Sequence, residues 1–437
     1  MNVLKQQELK WPQYQLILFR FLTIYFVLTT AIWTWPALIP GLEFLSRFNT
    51  IFYEAYTHFF NDYIYQVKEE LVPTRGSGDT SMGWATWYAQ LFLSLVGALI
   101  WSVLDRKRTH YTWTSLVIRN IVRYYVISVA FGYGIIKVFP LQMPSPSNSY
   151  YATDLGHFSG MRFAWNFIGY SEGYEIFSGL MEVLVGVFLL YRRTIILGAL
   201  LGMGVFANVF LLNISYDIPV KIFSFQLVIA CLFIAANNLH RISNFLLFNK
   251  QVLPDQSWNI PLKQKGFKVA RIVSKVGFII LFFIIPFYDY GTYDTSGGSS
   301  NIQPPLEKGF YSIGHFILNG DTIPADTRPD LHWKDFVLDG ASRGSIGLVD
   351  SSFRVRYGRS YFSMSNPDSI NNRLTIKRYS RDTVNIFKGD FTKFDERNFR
   401  LSGLYKGRDT IKVELLWDNR DYQLAKKEFN WLLESVP

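Results

Sequence analysis

Four polar side chains, each inside a different apolar run, are the residues of this sequence best placed to do chemistry. They are Lys137, Glu182, Asn208 and Gln226. Such groups are costly inside a membrane, so each needs a partner or a function. At ~1.5 Å of helical rise per residue, Glu182 lies about 12 Å and Gln226 about 10 Å from the same side, with the other two closer to it. This shared depth predicts a polar pocket open to that side, with Glu182 as its acid or proton relay.

A second group of polar residues lies near the mouth of this pocket, and we predict that it binds the ligand. The group consists of Glu175, Asp154, His157, Arg162 and Asp217. Glu175 is two helical turns before Glu182 and lies on roughly the same face, whereas the others lie in adjoining loops. A structural role is the alternative for the four pocket residues, because buried polar groups hold membrane helices together.

Arg119 and Arg123 are one turn apart in the third apolar run and therefore share a helix face. Arg119 can extend its guanidinium to the nearer membrane surface, whereas Arg123 lies deeper and needs a partner or a water-filled crevice. We predict that both anchor the helix in the membrane. Binding of lipid headgroups is the alternative.

Several other chemistries are disfavoured by the residues available. None of the six histidines lies in the middle of an apolar run, which argues against a haem held by two histidines inside the membrane. No His/Cys cluster has zinc-binding spacing, and we predict no metal site. Phosphate-loop, nucleophile-elbow and dinucleotide motifs are also missing. The single cysteine, Cys231, cannot form a disulfide within the chain, so any redox role needs a borrowed electron carrier.

Seven apolar runs are long enough to place these residues in membrane-spanning helices. A helix needs about 20 apolar residues to cross a ~30 Å hydrocarbon layer. The runs are 16–39, 84–104, 113–139, 174–191, 194–212, 219–236 and 269–288. Basic residues such as Lys5, Arg106, Arg192 and Lys263 fall in alternate loops, which predicts a cytoplasmic N-terminus and an external C-terminal half.

The distribution of charge supports the same division of the chain. The formal net charge is +10, of which residues 1–288 carry +9 and residues 289–437 only +1. The excess therefore belongs to the apolar half and marks one side of a membrane. Nucleic-acid binding is disfavoured because the polar half is nearly neutral.

The polar half is predicted to form a small antiparallel β domain. About eight short strands, beginning at 310–318 and ending at 410–416, alternate with turn signals such as Asn319-Gly320. The predicted fold is thus a helical polytopic membrane domain, 1–288, followed by a linker, 289–308, and an antiparallel β domain, 309–437. Segment 43–67 has apolar residues at helical spacing, and we predict an amphipathic helix that lies on the membrane or packs on the outer ends of the spans.

The third to sixth runs carry a family pattern. Arg123, Gly134 and Lys137 precede a helix with Glu182 and Gly186, a Pro-rich loop occupies 139–147, and Tyr-Asp-Ile-Pro-Val-Lys occupies 216–221. This order resembles the DoxX family of bacterial membrane proteins over about residues 119–240, in the long form with an extracytoplasmic β domain. The match departs from shorter members at Ile127, where they often have glycine.

The resemblance implies a cytoplasmic-membrane protein of a bacterium. Because DoxX relatives include a subunit of a thiosulfate:quinone oxidoreductase, it implies a membrane subunit of a quinone-linked or envelope redox system, with quinone as the cofactor and redox proteins as partners. The absence of cofactor ligands in the sequence favours a second hypothesis, in which the chain is a non-catalytic scaffold or assembly factor that docks envelope proteins through its β domain. Transport is disfavoured because neither an inverted repeat nor a broken helix pair is recognisable.

Overall fold

A computed structural model of the chain describes residues 10–38, 41–74, 78–253, 257–258, 264–293, 306–325, 328, 330–340, 342–368 and 372–426. The chain divides into two compact units. The membrane unit comprises Met1–Gln142 and Gly173–Tyr293, and the barrel unit comprises Met143–Glu172 and Asp294–Pro437. The sequence-based boundaries assigned 143–172 to the membrane domain, whereas the structure groups this segment, here called the insertion, with the β strands.

The membrane unit is built from long apolar helices. Within the described residues these are α1 (Gln13–Thr30), α3 (Ser81–Leu104), α4 (Thr112–Val138), α7 (Glu172–Leu190), α8 (Ile195–Ser215), α9 (Lys221–Ala236), α10 (Leu239–Leu246), α11 (Lys265–Ile279) and α12 (Ile285–Gly291). Two 3₁₀ turns adjoin these helices: Ile32–Leu38 extends α1, and Arg192–Thr194 precedes α8. A π-helical turn, Ile280–Ile284, joins α11 to α12. Six of the resulting helices are long and apolar enough to cross a membrane. The prediction of a helical polytopic membrane protein is therefore confirmed.

The sixth predicted span, 219–236, differs from the others. Helix α9 has only 16 residues, about 24 Å at ~1.5 Å per residue, and α10 follows it at an angle of 82°. The sequence analysis recognised no broken helix pair, so this bend is a correction. Two consecutive asparagines, Asn237 and Asn238, occupy the break, and the Asn238 side chain accepts a hydrogen bond from Arg241 at 2.7 Å. Asparagine side chains compete for backbone-like hydrogen bonds and so end helices readily.

Helix α2 (Phe44–Tyr63) confirms the predicted helix within 43–67. One face packs against α3, where the Thr57 and Thr86 hydroxyls lie 3.0 Å apart and the rings of Phe60 and Phe92 are 5.3 Å apart. The opposite face exposes Phe48, Ile51 and Phe59, among others. The helix is thus packed on a span by one face and has a second apolar face that remains exposed.

The barrel unit contains ten antiparallel strands in its described residues. They are β1 (Gly309–Leu318), β2 (Asp321–Thr322), β3 (Asp335–Gly340), β4 (Arg343–Ile346), β5 (Arg354–Arg356), β6 (Arg359–Asp368), β7 (Arg373–Lys377), β8 (Asn385–Lys393), β9 (Phe399–Tyr405) and β10 (Asp409–Asp418). Eight of them follow the order β1-β3-β4-β6-β7-β8-β9-β10, and pairing of β10 with β1 closes the barrel. The helices α5 (Asn148–Tyr151) and α6 (Gly160–Tyr170), a 3₁₀ turn, Leu155–His157, and the short α13 (Gln423–Lys426) complete the unit.

Side chains fill the barrel. Tyr311, Trp333, Phe336 and Leu374 are each at most 1% exposed, and they belong to one continuous core. An eight-stranded barrel is just wide enough for such filling. The predicted turn at Asn319-Gly320 is confirmed, since both residues have positive φ, at 54° and 94°, and join β1 to β2.

One aspartate anchors the polar part of the barrel unit. Asp335 is 1% exposed and accepts hydrogen bonds from Arg359 at 2.6 Å and from Arg420 at 2.7 Å. Arg359 also donates to Ser345 at 2.9 Å and to the carbonyl of Ala152, in the insertion, at 3.1 Å. This carboxylate therefore holds together β3, β6, the chain after β10 and the insertion.

Replacing Asp335 with Asn is expected to destabilise the barrel unit by about 3–5 kcal/mol, because the change leaves two guanidinium groups facing a neutral partner in a buried site. Hydrogen exchange of β3 and β6 in the full-length protein measures the loss of protection. The control is Asp330→Asn, since Asp330 pairs with Arg328 at the surface, where both side chains are more than half exposed. Equal effects of the two substitutions would contradict the expectation.

The pH dependence of the barrel unit should involve Asp350. Burial alone would raise the pKa of this carboxyl, but hydrogen bonds from Lys406, Ser352 and Tyr405 lower it from 3.8 to about 2. The resulting stabilisation is complete above the unfolded value and is lost as pH falls through the folded value. At 1.36 kcal/mol per pKa unit it amounts to about 2 kcal/mol.

Asp350→Asn is therefore expected to cost about 2 kcal/mol at pH 7, with the difference from wild type shrinking as the pH falls from 4 to 2. Acid unfolding of the full-length protein, followed through hydrogen exchange of β9, measures this change. Asp390→Asn serves as the control, because Asp390 pairs with Arg373 in an exposed position. A difference that stays constant with pH would show that the carboxylate charge is not the source.

Candidate functional site

Lys137 and Glu182 form a buried ion pair between α4 and α7. The Lys137 Nζ donates to Glu182 Oε1 at 2.7 Å, and the residues are 6% and 3% exposed. Two of the four residues predicted to line a pocket are thus in direct contact. Each charge compensates the other, as it must where water is largely excluded.

Two glycines bring the helices close enough for this pair to form. A Cβ on Gly134 would lie 2.9 Å from the carbonyl oxygen of Gly179, and a Cβ on Gly179 would lie 2.6 Å from that of Gly134. These distances are shorter than real Cβ contacts allow, so both positions require glycine. Each glycine is three residues before its charged neighbour, Lys137 or Glu182, and therefore on nearly the same helix face. Close backbone approach and the ion pair are two parts of one interface.

The second carboxylate oxygen of Glu182 is a buried acceptor. Oε2 has no hydrogen-bond partner among the described residues. Tyr133, one turn before Lys137, places its ring 5.7 Å from the Lys137 Nζ and also lines a cavity of about 330 Å³ with Ser128, Gly132, Ile136, Phe282 and Tyr290. Glu175, two turns before Glu182, is fully buried as well. The interface thus holds one compensated charge pair, a further carboxyl group and a neighbouring small cavity.

The other two predicted pocket residues lie elsewhere. Asn208 is exposed on the outer surface of α8, and the structure does not bring it to Glu182. Gln226 is half-buried on α9, beside the hydroxyl of Tyr25 on α1. The same hydroxyl accepts a hydrogen bond from Trp87 on α3 at 3.1 Å. The polar residues are therefore distributed over two helix interfaces and the surface, and they do not form one pocket.

Arg119 and Arg123 are both buried and share one aromatic partner. Arg123 donates to the carbonyls of Leu189 and Leu190 at the end of α7, the latter at 3.0 Å, and to Asn120 at 3.1 Å. Trp258 lies 4.5 Å from the guanidinium of Arg119 and 5.8 Å from that of Arg123. Such cation–π contacts compensate buried guanidinium groups without a carboxylate. Both arginines are thus held by groups of the membrane unit, and their role in anchoring the helix stays a prediction.

Three of the predicted binding residues belong to the insertion in the barrel unit. Arg162 donates to the Tyr357 hydroxyl at 2.8 Å and lies against the rings of Tyr150 and Trp165. His157 packs on Gly358, which has a φ of 71° and lacks a side chain at this contact. Asp154 is exposed.

Two neighbouring residues of the insertion, Asn148 and Ser149, bind it to the barrel. The Asp339 carboxylate accepts hydrogen bonds from the backbone N–H and from the hydroxyl of Ser149, each at 2.7 Å. Ser345 donates to the same hydroxyl at 2.8 Å, and Asn148 donates to the carbonyl of Leu338 at 2.9 Å. No pattern in the sequence pairs Asp339 with Ser149.

Asp217 lies at the start of α9, in the membrane unit. Its exposed carboxylate pairs with Lys221 at 2.7 Å, and the Lys221 ammonium holds its pKa below the usual range. Asp79, from the segment before α3, accepts hydrogen bonds from the backbone N–H groups of Lys221 at 2.7 Å and Ile222 at 3.2 Å. An acidic group at a helix N-terminus is favourable. Asp217 and Asp79 thus fix the start of α9.

Arg20 is a buried charge that the sequence analysis did not single out. It is 1% exposed and donates to the Tyr111 hydroxyl at 3.0 Å, to Ser102 at 2.9 Å and to the carbonyl of Asp105 at 3.0 Å. Its position as a lone cation inside the first apolar run could have identified it in the sequence. Trp258, in a polar loop, gave no such signal.

The described residues contain no group of three His, Cys, Asp or Glu side chains that could hold a metal ion.

No family model matches the chain, and no solved structure matches it. One curated relative is the uncharacterized protein YwoB of Bacillus subtilis (strain 168), 44% identical over 73 residues. The match covers 17% of this chain and 47% of the relative, so the chain spans about half the length of that protein. The chain is a multi-pass membrane protein with an antiparallel β-barrel domain, and one short segment of it is similar to a protein of Bacillus subtilis.

Proposed function

We propose that this protein is a membrane scaffold that docks envelope proteins through its barrel unit. In this proposal the chain resides in a bacterial cytoplasmic membrane, with its N-terminus in the cytoplasm and its barrel in the periplasm. One observation carries the proposal. The insertion belongs to the barrel unit, so the chain passes between the units three times, after Gln142, Glu172 and Tyr293. Three covalent connections suit a domain that must transmit load from a bound partner to the membrane helices.

The outer surface of the barrel supports a docking role. Its interior is filled by side chains, so a ligand has to bind outside. Two loops meet at one end, where Arg378 donates to the carbonyls of Ser351 and Ser352. The same region exposes Val349 at 62% and Tyr379 at 49%. Exposed apolar groups rimmed by polar residues are typical of protein-binding surfaces.

The Lys137–Glu182 pair fits a structural role within this scaffold. Its helices are in backbone contact, and it joins the two spans that flank the insertion. Removing one partner of a buried pair typically costs 3–5 kcal/mol, whereas replacing both by apolar residues is often neutral. The single variants should therefore be unstable and the double variant stable.

We expect Glu182→Gln to lower the thermal stability of the purified full-length protein and Lys137→Met/Glu182→Met to restore it. Melting temperature in detergent measures both, with Glu172→Gln as the control, because Glu172 is exposed at the start of the same helix. Partner recovery by the stable double variant should match wild type. A stable double variant that has lost function would instead favour proton relay by Glu182.

A second prediction concerns the docking surface. Affinity purification of the full-length protein in mild detergent should recover a stable complex of envelope proteins, and Val349→Ser/Tyr379→Ser should reduce that recovery at least tenfold. Leu404→Ser, at an equally exposed position of β9, is the control. A complex unaffected by the paired substitution would contradict docking at this surface.

A quinone-linked redox subunit is the second candidate. It is favoured by the buried Oε2 of Glu182 and by the cavity of about 330 Å³ at Tyr133, which is at the low end of the size of small-molecule sites. Quinone reduction takes up protons, which Glu182 and Lys137 could supply through a short relay. Quinone and a redox-active partner in the purified complex would support this candidate and count against a scaffold.

A further inference from the structure

A large basic cavity lies in the membrane unit, at the end where α4 begins and α7 ends. Its volume is about 1300 Å³. Six cationic residues line it, namely Arg123, Arg192, Arg193, Arg241, Arg271 and Lys275. No Asp or Glu is present among the described residues of its lining. The cavity is thus a concentrated positive site that the sequence analysis did not identify.

The cations converge from separate helices. Arg123 is 4% exposed and follows the start of α4 by 11 residues, about 16 Å of helix. Lys275 follows the start of α11 by 10 residues, about 15 Å. Lys275 lies within electrostatic reach of Arg123, Arg192 and Arg271. Like charges at this depth repel one another and need an anion nearby.

Carbonyl oxygens among the described residues supply part of that compensation. The carbonyl oxygen of Leu190 accepts hydrogen bonds from Arg123 at 3.0 Å and from Lys275 at 2.8 Å. This carbonyl ends α7, and a helix C-terminus provides roughly half a negative charge. Arg123 and Arg241 also donate to other carbonyl and amide oxygens, but the described lining brings no full negative charge against six positive ones.

The rest of the wall is apolar. Ile196 and Leu200 on α8, Ile242 and Phe245 on α10, and Ile272 on α11 line the same cavity. The volume exceeds the ~300–1,000 Å³ typical of small-molecule sites, so a phosphate ion alone would leave most of it unfilled. A ligand that fits has a phosphate-bearing anionic head and an apolar tail.

We propose that this cavity binds an anionic phospholipid. The head group lies among Arg192, Arg271 and Lys275, where guanidinium groups can hold phosphate oxygens through paired hydrogen bonds. An acyl chain extends along Ile196, Leu200 and Phe245. The site does not depend on the proposed scaffold role.

The experiment compares three additives on the full-length protein in a non-ionic detergent. They are phosphatidylglycerol, phosphatidylcholine with the same acyl chains, and inorganic phosphate, and the readout is the additive concentration that gives half of the maximal thermal shift. We expect phosphatidylglycerol to act at a concentration at least tenfold lower than phosphatidylcholine. Equal effects of the two lipids, or a phosphate effect as strong as that of phosphatidylglycerol, would overturn the proposal.

Matched triple variants locate the effect. Each basic residue near anionic headgroups contributes about fivefold to binding, so Arg192→Gln/Arg271→Gln/Lys275→Gln is expected to weaken the response by on the order of 100-fold. Arg106→Gln/Lys107→Gln/Arg108→Gln removes the same charge from the loop between α3 and α4, outside the cavity lining, and should leave the response within a few-fold of wild type. Equal losses would show general surface attraction and overturn the proposal.

A measurement on the wild-type protein keeps the proposal testable if the cavity variant does not fold. Phosphatidylglycerol with a photoreactive group in its acyl chain is cross-linked to the full-length protein, and the labelled peptides are identified by mass spectrometry. Labels concentrated at Ile196, Leu200, Ile242 and Phe245 support the site. Labels spread evenly over the lipid-facing helices, with no excess at these residues, overturn it.

Discussion

The close contact between α4 and α7 is the constraint on which the rest of the structure depends. Gly134 and Gly179 allow the two backbones to touch, and the touching backbones bring Lys137 within 2.7 Å of Glu182. The same two helices flank the insertion that becomes part of the barrel unit. The geometry at these glycines therefore sets both the compensation of the Lys137–Glu182 pair and the points where the chain leaves and re-enters the membrane unit.

Counting residues along a helix gives the level of a side chain along the axis but not which neighbouring helix its face meets. Counting residues placed Glu182, Lys137, Asn208 and Gln226 at similar levels, and the structure brings only the first two together. The partner of each residue depends on which face of its helix meets which neighbour. Lys137 and Glu182 each follow a glycine by three residues, and in the structure these two glycines face each other. Asn208 also follows a glycine, Gly204, by four residues but is exposed, so a nearby glycine in the sequence does not by itself reveal the buried face.

In the β half, local sequence patterns likewise predicted elements but not the contacts between distant residues. Its class and several strands were predictable, since Asn319-Gly320 adopts the positive φ values that tight hairpins need. Strand β6, Arg359–Asp368, was missed because three of its ten residues are serine and none is β-branched. Its inward residues, Phe362 and Met364, alternate with serines and are buried. Closure of the barrel and the contact of Ser149 with Asp339 link residues far apart in sequence, which local patterns do not reveal.

The insertion also sets an order of assembly. Ser149 and its partner Asp339 are 190 residues apart, and four membrane helices and the first strands of the barrel are synthesised between them. At ~5–20 residues per second, translation separates the two by roughly 10–40 s. During that interval the insertion lacks the barrel surface that its Tyr150 and Phe158 rings cover in the folded unit. The barrel unit therefore cannot be completed until its strands follow the intervening membrane helices, so its folding spans the synthesis of those helices.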